Sequence, residues 1–172
     1  MYLKFAQIRD VKHPSRGHST DAGIDFFIPT MSDEYIKYIT SIEANSQGVT
    51  IVNNAFNGQE KNEIHIHPGN NVLIPSGIKI EIPYGYMGLF LNKSGVASKK
   101  DAVIGAQVID TFYSGEVHID IHNIGSDMLI LQEEQKVAQM VLVPILSCDL
   151  TLCDEDMLYD WSHEESLDLL QF

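Results

Sequence analysis

In the middle of this 172-residue sequence, apolar and polar residues alternate over short stretches that are separated by turn residues. Turns are marked at Pro68-Gly69, Pro75-Ser76-Gly77 and Pro83-Tyr84-Gly85. A period of two is typical of a strand with one face in the core. The pattern predicts consecutive short β-strands, and the chain is long enough for one domain with a sizeable core. The alternating apolar residues are Ile64, Ile66, Val72, Ile74, Ile78, Ile80 and Ile82.

Strand patterns also occur on both sides of this region. Each is short and bounded by loop residues, which favours a fold built almost entirely of strands. The segments are Tyr2–Ile8, Ala22–Ile28, Tyr86–Leu91, Val108–Ile109, Val117–Ile121, Leu129–Leu131 and Val137–Ile145.

Residues 31–61 are the least regular part of the chain. Glu34–Ile42 predicts a short helix because its apolar residues share one face, and Val49–Val52 predicts a short strand within a polar stretch. We interpret 31–61 as an insertion with a role in subunit packing or surface decoration. Residues 149–172 are acidic and end in DWSHEESLDLLQF, which indicates a tail or an ordered arm.

The formal net charge of -13 disfavours a protein that coats nucleic acid, since such proteins carry a basic face. It allows an anionic small substrate if a divalent cation offsets the charge. Two cysteines, close together and late in the chain, indicate no disulfide framework and favour a reducing compartment. No leader peptide and no apolar run of membrane-spanning length is found, so we expect a cytoplasmic protein without a membrane partner.

The stretch Gly105–Gly115, GAQVIDTFYSG, combines a carboxylate and a phenol three residues apart in a predicted hairpin. Asp110 could activate a water molecule, and the exposed backbone of a hairpin could hydrogen-bond a planar ligand. The alternative for Asp110 is a local role, in which the side chain caps its own turn. Gly115 is expected to allow a tight return of the chain.

Two further stretches carry side chains that could take part in binding or catalysis. Asp25 lies within an apolar strand, so it needs a partner: a cation, backbone donors or metal-bound water, or else a purely structural bond to a neighbouring loop. Asn92-Lys93-Ser94-Gly95 offers a cation, a hydroxyl and a flexible backbone, which suit phosphate oxygens, although an ordinary polar turn has the same composition.

Histidines at alternate strand positions raise a metal hypothesis. His65 and His67 form a pair, and His118, Asp120 and His122 share one strand face, a spacing that could bind metal if symmetry brings copies together. Alternate polar residues on a strand more often face water, and we favour that interpretation.

Taken together, four stretches resemble motifs of the trimeric dUTPase (dUTP diphosphatase) family, in the family's order. They are DAGIDF at Asp21–Phe26, NKSGVASK at Asn92–Lys99, GAQVIDTFYSGE at Gly105–Glu116 and KVAQMVLVP at Lys136–Pro144. The resemblance covers residues 1–30 and 64–146.

The resemblance implies an all-β, jelly-roll-like domain over residues 1–148, interrupted by the insertion at 31–61. It also implies a homotrimer with three sites at subunit boundaries. The implied activity is Mg²⁺-dependent hydrolysis of dUTP to dUMP and diphosphate, by attack of water on the α-phosphorus.

The resemblance also implies a role for individual residues. Asp110 would be the base that orients water, Tyr113 would pack against the deoxyribose and exclude a 2′-hydroxyl, and Asp25 would bind water on the Mg²⁺. Backbone groups around Gly105–Ile109 would read the uracil edge. The implied substrate-binding set is Lys93, Ser94, Gly95, Gly105, Gln107, Val108, Ile109, Tyr113 and Gln139.

The chain departs from the family pattern at three places. Lys93 replaces an Arg and loses a planar fork for phosphate, and Gln107 replaces a Gly beside the base, where it could narrow the pocket, point outward or alter the accepted pyrimidine. The acidic tail replaces a Gly-rich, Arg-bearing arm, although Trp161 or Phe172 could stack on a base. Two alternatives follow: hydrolysis of dCTP or a modified pyrimidine nucleotide, or a non-catalytic nucleotide- or protein-binding regulator whose partner binds the insertion or tail.

Overall fold

The computed structural model of the protein describes residues 2–56 and 59–158. Its regular structure there is mostly strand, with two short α-helices and two 3-10 turns, and no helix in these ranges is long and apolar enough to cross a membrane. The proposed stacking of Trp161 or Phe172 falls outside the described residues. The elements are β1 Lys4–Gln7, β2 Ile24–Phe27, α1 Asp33–Ser41, a 3-10 turn Glu43–Asn45, β3 Val49–Phe56, β4 Gln59–Ile66, β5 Asn71–Pro75, β6 Ile78–Glu81, β7 Tyr86–Asn92, α2 Ser94–Lys100, β8 Ala102–Ile104, β9 Val108–Ile109, β10 His118–Asn123, β11 Leu129–Gln132, β12 Lys136–Pro144 and a 3-10 turn Glu155–Met157.

The strands form four small sheets in which every pairing is antiparallel. The sheet orders are β2-β12-β7-β9, β5-β10-β8, β11-β4-β3 and β1-β6. Most neighbours are distant in sequence, so the chain repeatedly crosses from one sheet to another. This is the all-β, jelly-roll-like architecture that the sequence predicts.

The predicted alternation is confirmed in the core. The seven alternating residues between 64 and 82 are all buried, while Lys79 and Glu81, which alternate with them on β6, are exposed. Phe26 of β2 and Phe90 of β7, on either side of β12 in the large sheet, meet edge to face at 4.9 Å between ring centroids. One apolar core, joined by Tyr35 and Ile39 of α1, therefore holds the sheets together.

The predicted helix in the insertion is present as α1. Ser32 caps it by accepting a hydrogen bond from the Tyr35 backbone N–H at 3.3 Å, and Tyr35 and Ile39 are buried on its inner face. The Tyr35 hydroxyl donates to the carbonyl of Pro75 at 2.9 Å. The helix thus contacts the strand core directly.

The polar stretch after α1 forms more structure than the sequence predicts. β3 and β4 pair continuously from Val49↔Ile66 to Phe56↔Gln59, and β4 also pairs with β11. The short strand predicted at Val49–Val52 is therefore one end of a long hairpin. The missed part, residues 53–62, is polar and carries no alternation, and its strands continue the pairing of Val49–Val52 with Glu63–Ile66, which β11 extends on the other side.

The buried side chain of Asn45 links the insertion to the core through hydrogen bonds. Its side-chain amide donates to the carbonyls of Ile39 at 2.9 Å and Leu73 at 3.0 Å, and its oxygen accepts from the Leu73 N–H at 2.7 Å. An alanine would leave these buried backbone groups without partners. The side chain is 5% exposed, so water cannot easily replace it.

We expect Asn45→Ala to lower the free energy of unfolding by about 2–3 kcal/mol, because several buried hydrogen bonds are lost together. Urea unfolding measures the change. Asn53→Ala is the matched control, since Asn53 makes one exposed hydrogen bond to Asn62 at 3.2 Å and should cost under about 1 kcal/mol. Equal effects of the two variants would contradict the anchoring role.

Candidate active site

Asp110 lies at the end of β9, on the edge of the large sheet. β9 pairs with β7, with Ile109 opposite Gly88, and the chain then turns through Thr111 and Phe112. Phe112 has a φ of 69°, and the Thr111 hydroxyl donates to the Tyr86 carbonyl at 2.7 Å, which fixes the turn. Asp110 is exposed, and within the described part of the chain its carboxylate accepts no hydrogen bond. The local capping alternative is therefore wrong, and both oxygens are open to a water molecule.

The hairpin predicted around Gly105–Gly115 is also wrong. β9 pairs with β7, whereas β10, which follows the turn, pairs with β5 and β8. The physical reason is burial: Ile119 and Ile121 of β10 lie opposite Ile74 and Val72 of β5, so the apolar face of β10 is used there. The chain instead crosses between two sheets before β9 begins.

The segment at Gly105, where the chain crosses from one sheet to another, packs against Asp120 and His122. The N–H groups of Gly105 and Ala106 donate to the backbone carbonyl and the carboxylate of Asp120, at 2.9 and 3.2 Å. A Cβ on Gly105 would lie 2.2 Å from Asp120 Oδ2 and 2.4 Å from His122 Nε2. Only glycine allows this close approach. Asp120 is also held by Asn71 at 2.8 Å, so these side chains support the segment expected to read a base.

Three of the four histidines of the metal hypothesis have protein partners in the described part of the chain, and His67 is exposed. His122 Nε2 lies 2.9 Å from Asp120 Oδ2, and His118 Nδ1 lies 2.9 Å from the Glu116 carbonyl. His65 Nε2 lies 2.9 Å from Glu63 Oε2, and this bond holds the pKa of Glu63 below its ordinary value. These contacts give the rings structural roles within the chain.

Gln107 bonds to its own segment. Its side-chain amide donates to the Ile104 carbonyl at 3.2 Å, and its backbone carbonyl accepts from the Phe90 N–H at 2.8 Å. Three possibilities were left open for this side chain. In the structure it folds back toward the end of β8. The backbone at Gln107 continues the ladder between β9 and β7.

Tyr113 is fixed by the two residues that follow its turn. Its hydroxyl donates to the Glu116 carbonyl at 2.9 Å. A Cβ on Gly115 would lie 2.7 Å from the phenol oxygen and 2.8 Å from Cζ, so the ring lies directly over this glycine. Gly115 has a φ outside the left-handed region. The chain bends at Gly115, and the missing side chain there also makes room for the ring.

A surface cavity of about 580 Å³ reaches Tyr113. The turn contributes Phe112 and Tyr113 to its wall, and Phe5 and Tyr84 contribute aromatic surface from the other side. These aromatic groups are partly or largely exposed in the single chain. The turn beside Asp110 therefore presents an open, apolar surface.

Residues from the first, second and fourth motifs meet on the large sheet. β12 lies between β2 and β7, so Gln139 is opposite Asp25 on one side and Leu91 on the other. The Gln139 amide donates to the Asn92 carbonyl at 2.9 Å, and its oxygen would lie 2.2 Å from a Cβ on Gly23. Gln139 thus reaches the end of β7, where Lys93 and Ser94 begin.

Asp25 finds its partners in two lysines. The carboxylate is almost completely buried, with Oδ1 bonded to the Lys93 ammonium and Oδ2 lying 2.8 Å from Lys136 Nζ. Burial acts to raise the pKa of Asp25, but the hydrogen bonds from Lys136 and Lys93 outweigh it and hold the pKa below its ordinary value. The sequence predicted that Asp25 needs a partner, with a cation as one of several possibilities, and gave Lys136 no role.

The alternative of an ordinary polar turn at Asn92–Gly95 is wrong, because β7 ends at Asn92 and α2 begins at Ser94. Lys93 precedes α2, and its carbonyl accepts from the N–H groups of Val96 and Ala97, both at 2.9 Å. Val96 is buried and holds the helix to the core, whereas Ser94 and Gly95 are exposed. The Ser94 hydroxyl and the Lys93 ammonium are therefore presented at the end of β7.

The two halves of the candidate site are far apart within one chain. Ile109 is opposite Gly88, five residues before Lys93 along the same extended strand. At about 3.3 Å per residue this is about 16 Å, and Asp110 lies further still from Lys93. A hydrogen bond spans only about 3 Å, so one phosphate group cannot contact Asp110 and Ser94 of the same chain.

Within the described residues, no group of three His, Cys, Asp or Glu side chains could hold a metal ion. Both oxygens of Asp25 accept hydrogen bonds from lysines. Mg²⁺ commonly keeps several waters and is bound through substrate phosphates rather than by an all-protein cage. The residues fit an ion brought by a phosphate ligand, with Asp25 reached through water.

The sequence model of the dUTPase family matches residues 59–159. This chain belongs to the dUTPase family. The matched stretch contains the second, third and fourth motifs. The first motif, Asp21–Phe26, lies before it, and the structure joins this motif to the others through the pairing of β2 with β12.

Curated relatives carry the name deoxyuridine 5′-triphosphate nucleotidohydrolase. That of Desulfitobacterium hafniense is 36% identical over 96 residues, 54% of this chain and 64% of the relative. That of Chlamydia felis is 35% identical over 95 residues, 54% of this chain and 65% of the relative. The chain thus spans just under two thirds of the length of these relatives.

Solved structures of phage dUTPases share the fold. The Staphylococcus bacteriophage 80alpha enzyme has a TM-score of 0.65 at 22% identity, covering 90% of this chain and 97% of that one. The dUTPase from phage phi11 of S. aureus has a TM-score of 0.64 at 24% identity, with coverages of 90% and 97%. Another structure of the phi11 enzyme, that of a point mutant, is described with a structural Mg(II) ion.

We expect the buried Asp25 to make the stability of the folded chain depend on pH. Because its pKa is lower in the folded protein, Asp25 contributes stability above its ordinary, unfolded pKa of 3.8, and this contribution is lost as the pH falls through the folded pKa. We expect Asp25→Asn to lower the free energy of unfolding by about 1–3 kcal/mol at pH 7, because two lysines lose their shared partner. The deficit should shrink below about pH 4.

Urea unfolding of both proteins at about pH 7 and about pH 3 measures this difference. Asp21→Asn is the matched control, because the Asp21 carboxylate is partly exposed and accepts from the His18 N–H at 2.8 Å. It should change stability by less than about 1 kcal/mol. An Asp25→Asn deficit that is the same at both pH values would show that charge is not the cause.

Proposed function

We propose that this protein hydrolyses dUTP to dUMP and diphosphate. The observation that carries the proposal is the exposed Asp110 carboxylate, free of hydrogen bonds from the described residues and three positions before Tyr113. Family membership and the names of the curated relatives support the same activity. They favour dUTP over dCTP or a modified pyrimidine nucleotide, and catalysis over a purely regulatory role.

In the proposed reaction Asp110 accepts a hydrogen bond from a water molecule and orients it toward the α-phosphorus of dUTP. The water oxygen bonds to phosphorus as the bond from phosphorus to the bridging oxygen breaks. The water proton passes to Asp110, and diphosphate leaves with the electron pair of the broken bond. The open edge of β9 leaves room for this water on the carboxylate.

The segment before Asp110 would bind the nucleoside. Gly105, Gln107, Val108 and Ile109 offer backbone groups at the edge of the sheet, and Asp120 holds the start of this segment in place. The Tyr113 ring, fixed over Gly115, would pack against the deoxyribose and leave no space for a 2′-hydroxyl.

The phosphates would be bound at the other end of β7. The Ser94 hydroxyl and Gly95 backbone are exposed there, and Gln139 reaches the same end. The Lys93 ammonium uses one of its donors on Asp25 and keeps others for phosphate oxygens. As a point charge, it binds phosphate without the planar fork of an arginine.

We propose Mg²⁺ as the cofactor, held mainly by the substrate phosphates. When bound, it offsets the charge of the triphosphate, which an acidic protein would otherwise repel. Asp25 would meet it through a water molecule, and Lys93 and Lys136 keep this carboxylate ionised. The phi11 dUTPase described with a structural Mg(II) ion supports an affinity of this fold for the metal.

We further propose that the active assembly is a homotrimer with sites at subunit boundaries. The span of about 16 Å along β7 between the two halves of the site supports this, because Ser94 of a neighbouring copy can lie closer to Asp110 than Ser94 of the same chain. Residues 1–148 would be the catalytic domain, with 31–61 as an insertion and 149–172 as an arm. The free, exposed Cys148 and Cys153 fit a cytoplasmic location.

Diphosphate release from dUTP, dCTP, dTTP and UTP, each with and without Mg²⁺, tests the activity. We expect rapid release from dUTP with Mg²⁺ only. Asp110→Asn should lower kcat by about 10²–10⁴-fold, since an amide cannot accept the water proton. Asp33→Asn, an exposed aspartate in the first turn of α1, should leave kcat unchanged.

Equal rates on dCTP and dUTP would refute dUTP specificity. Tight dUTP binding without diphosphate release would point to a regulator. Full activity of Asp110→Asn would refute the assignment of the base.

Mixing two inactive variants tests the shared site. Ser94→Glu places a negative charge where phosphate is expected, and Asp110→Asn removes the base, so each variant alone should be inactive. After subunit exchange, about a quarter of the sites should combine an intact Asp110 from one copy with an intact Ser94 from another. Recovery of about that share of the wild-type rate is expected; no recovery in verified mixed trimers would place both residues in one chain's site.

A further inference from the structure

Arg9 and Glu116 form a bidentate ion pair that is largely buried. Arg9 Nε and Nη2 donate to the two oxygens of Glu116 at 2.8 and 2.9 Å. The Glu116 side chain is 8% exposed, and the Gly77 N–H also donates to it at 2.8 Å. The hydrogen bond to Glu116 raises the pKa of Arg9. Three hydrogen bonds, two from Arg9 and one from Gly77, therefore fix the position of the Glu116 carboxylate.

The insertion helix α1 supports the other side of Arg9. The guanidinium carbon lies 4.5 Å from the centroid of the Tyr38 ring and 5.8 Å from that of Tyr35. Both rings project from α1, and the Tyr35 hydroxyl bonds to Pro75, two residues before Gly77. Arg9 is thus held between the insertion and the turn that leads to β6.

The backbone of Glu116 in turn holds Tyr113. The carbonyl of Glu116 accepts the Tyr113 hydroxyl at 2.9 Å, and Gly115, between them in sequence, lies under the ring. A displacement of Glu116 therefore moves the acceptor of the phenol. The contacts run without a gap from α1 through Arg9 and Glu116 to Tyr113.

We propose that Arg9 and Glu116 are positioning residues that set sugar selectivity by fixing the Tyr113 ring, and that α1 contributes to this selectivity through Tyr38. The inference rests on the proposed function, in which Tyr113 excludes the 2′-hydroxyl. It assigns the insertion a role in specificity, although α1 does not carry any of the proposed substrate-binding residues.

Arg9→Lys tests the inference, because lysine keeps the charge but loses the planar fork and the stacking surface. We expect the ratio of kcat/KM for dUTP to that for UTP to fall about tenfold, mainly through better use of UTP, with kcat for dUTP within about threefold of wild type. Arg16→Lys is the matched control: Arg16 is exposed, bonds to the Asp21 carbonyl at 2.8 Å, and should leave the ratio unchanged.

A double-mutant cycle identifies the route of the effect. Tyr113→Phe keeps the ring and removes its bond to Glu116, so it should lower the same selectivity ratio. If Arg9 acts through Tyr113, Arg9→Lys should change the ratio by less than about twofold once Tyr113 is Phe. Independent, multiplying effects of the two substitutions would overturn the proposal, as would an unchanged ratio in Arg9→Lys alone.

Equilibrium binding separates this proposal from the proposed function. The α,β-imido analogues of dUTP and UTP need no hydrolysis, so their ratio of dissociation constants reports sugar selectivity directly. A preference for the deoxy analogue that weakens in Arg9→Lys supports the positioning role even if no diphosphate is released. No preference in the wild type would overturn it. Thermal unfolding of each variant confirms that the altered ratio comes from folded protein.

Discussion

The antiparallel pairing of β12 with both β2 and β7 is the constraint on which the phosphate half of the candidate site depends. It places Asp25 opposite Gln139, more than one hundred positions away in sequence, and Gln139 beside the end of β7 that leads into Lys93. A slip of one residue would turn Asp25 toward the other face of the sheet. The buried ion pairs and the tight contact of Gln139 with Gly23 depend on this register.

Local patterns predicted the elements whose burial follows from their own sequence. Alternating Ile and Val predicted the core strands, and the shared apolar face of Tyr35 and Ile39 predicted α1. The long β3–β4 hairpin and α2 were not predicted, since polar strands and a seven-residue helix are stabilised by contacts distant in sequence. The hairpin at Gly105–Gly115 was predicted wrongly for the same reason: β9 and β10 each find a better partner elsewhere.

The motifs predicted which residues form the candidate site but not which contacts keep those residues in position. Asp25 was expected to need a partner of some kind, and only the three-dimensional pairing identifies Lys136 beside Lys93. Gly115 was expected to allow a tight return of the chain, and the structure adds that it makes room for the Tyr113 ring. Arg9 shares no motif with Glu116, 107 residues away, so their contact is visible only once the sheets are assembled.

The pairing of Asp25 with two lysines has a chemical consequence. Both cations are primary amines, whereas Arg9 is a guanidinium. A reagent that acylates amines would neutralise both partners and leave a buried carboxylate alone, a change that raises its proton affinity and weakens the fold. The arginine pair behind Tyr113 would keep its charge under the same treatment. The two halves of the site therefore differ in their susceptibility to covalent lysine modification.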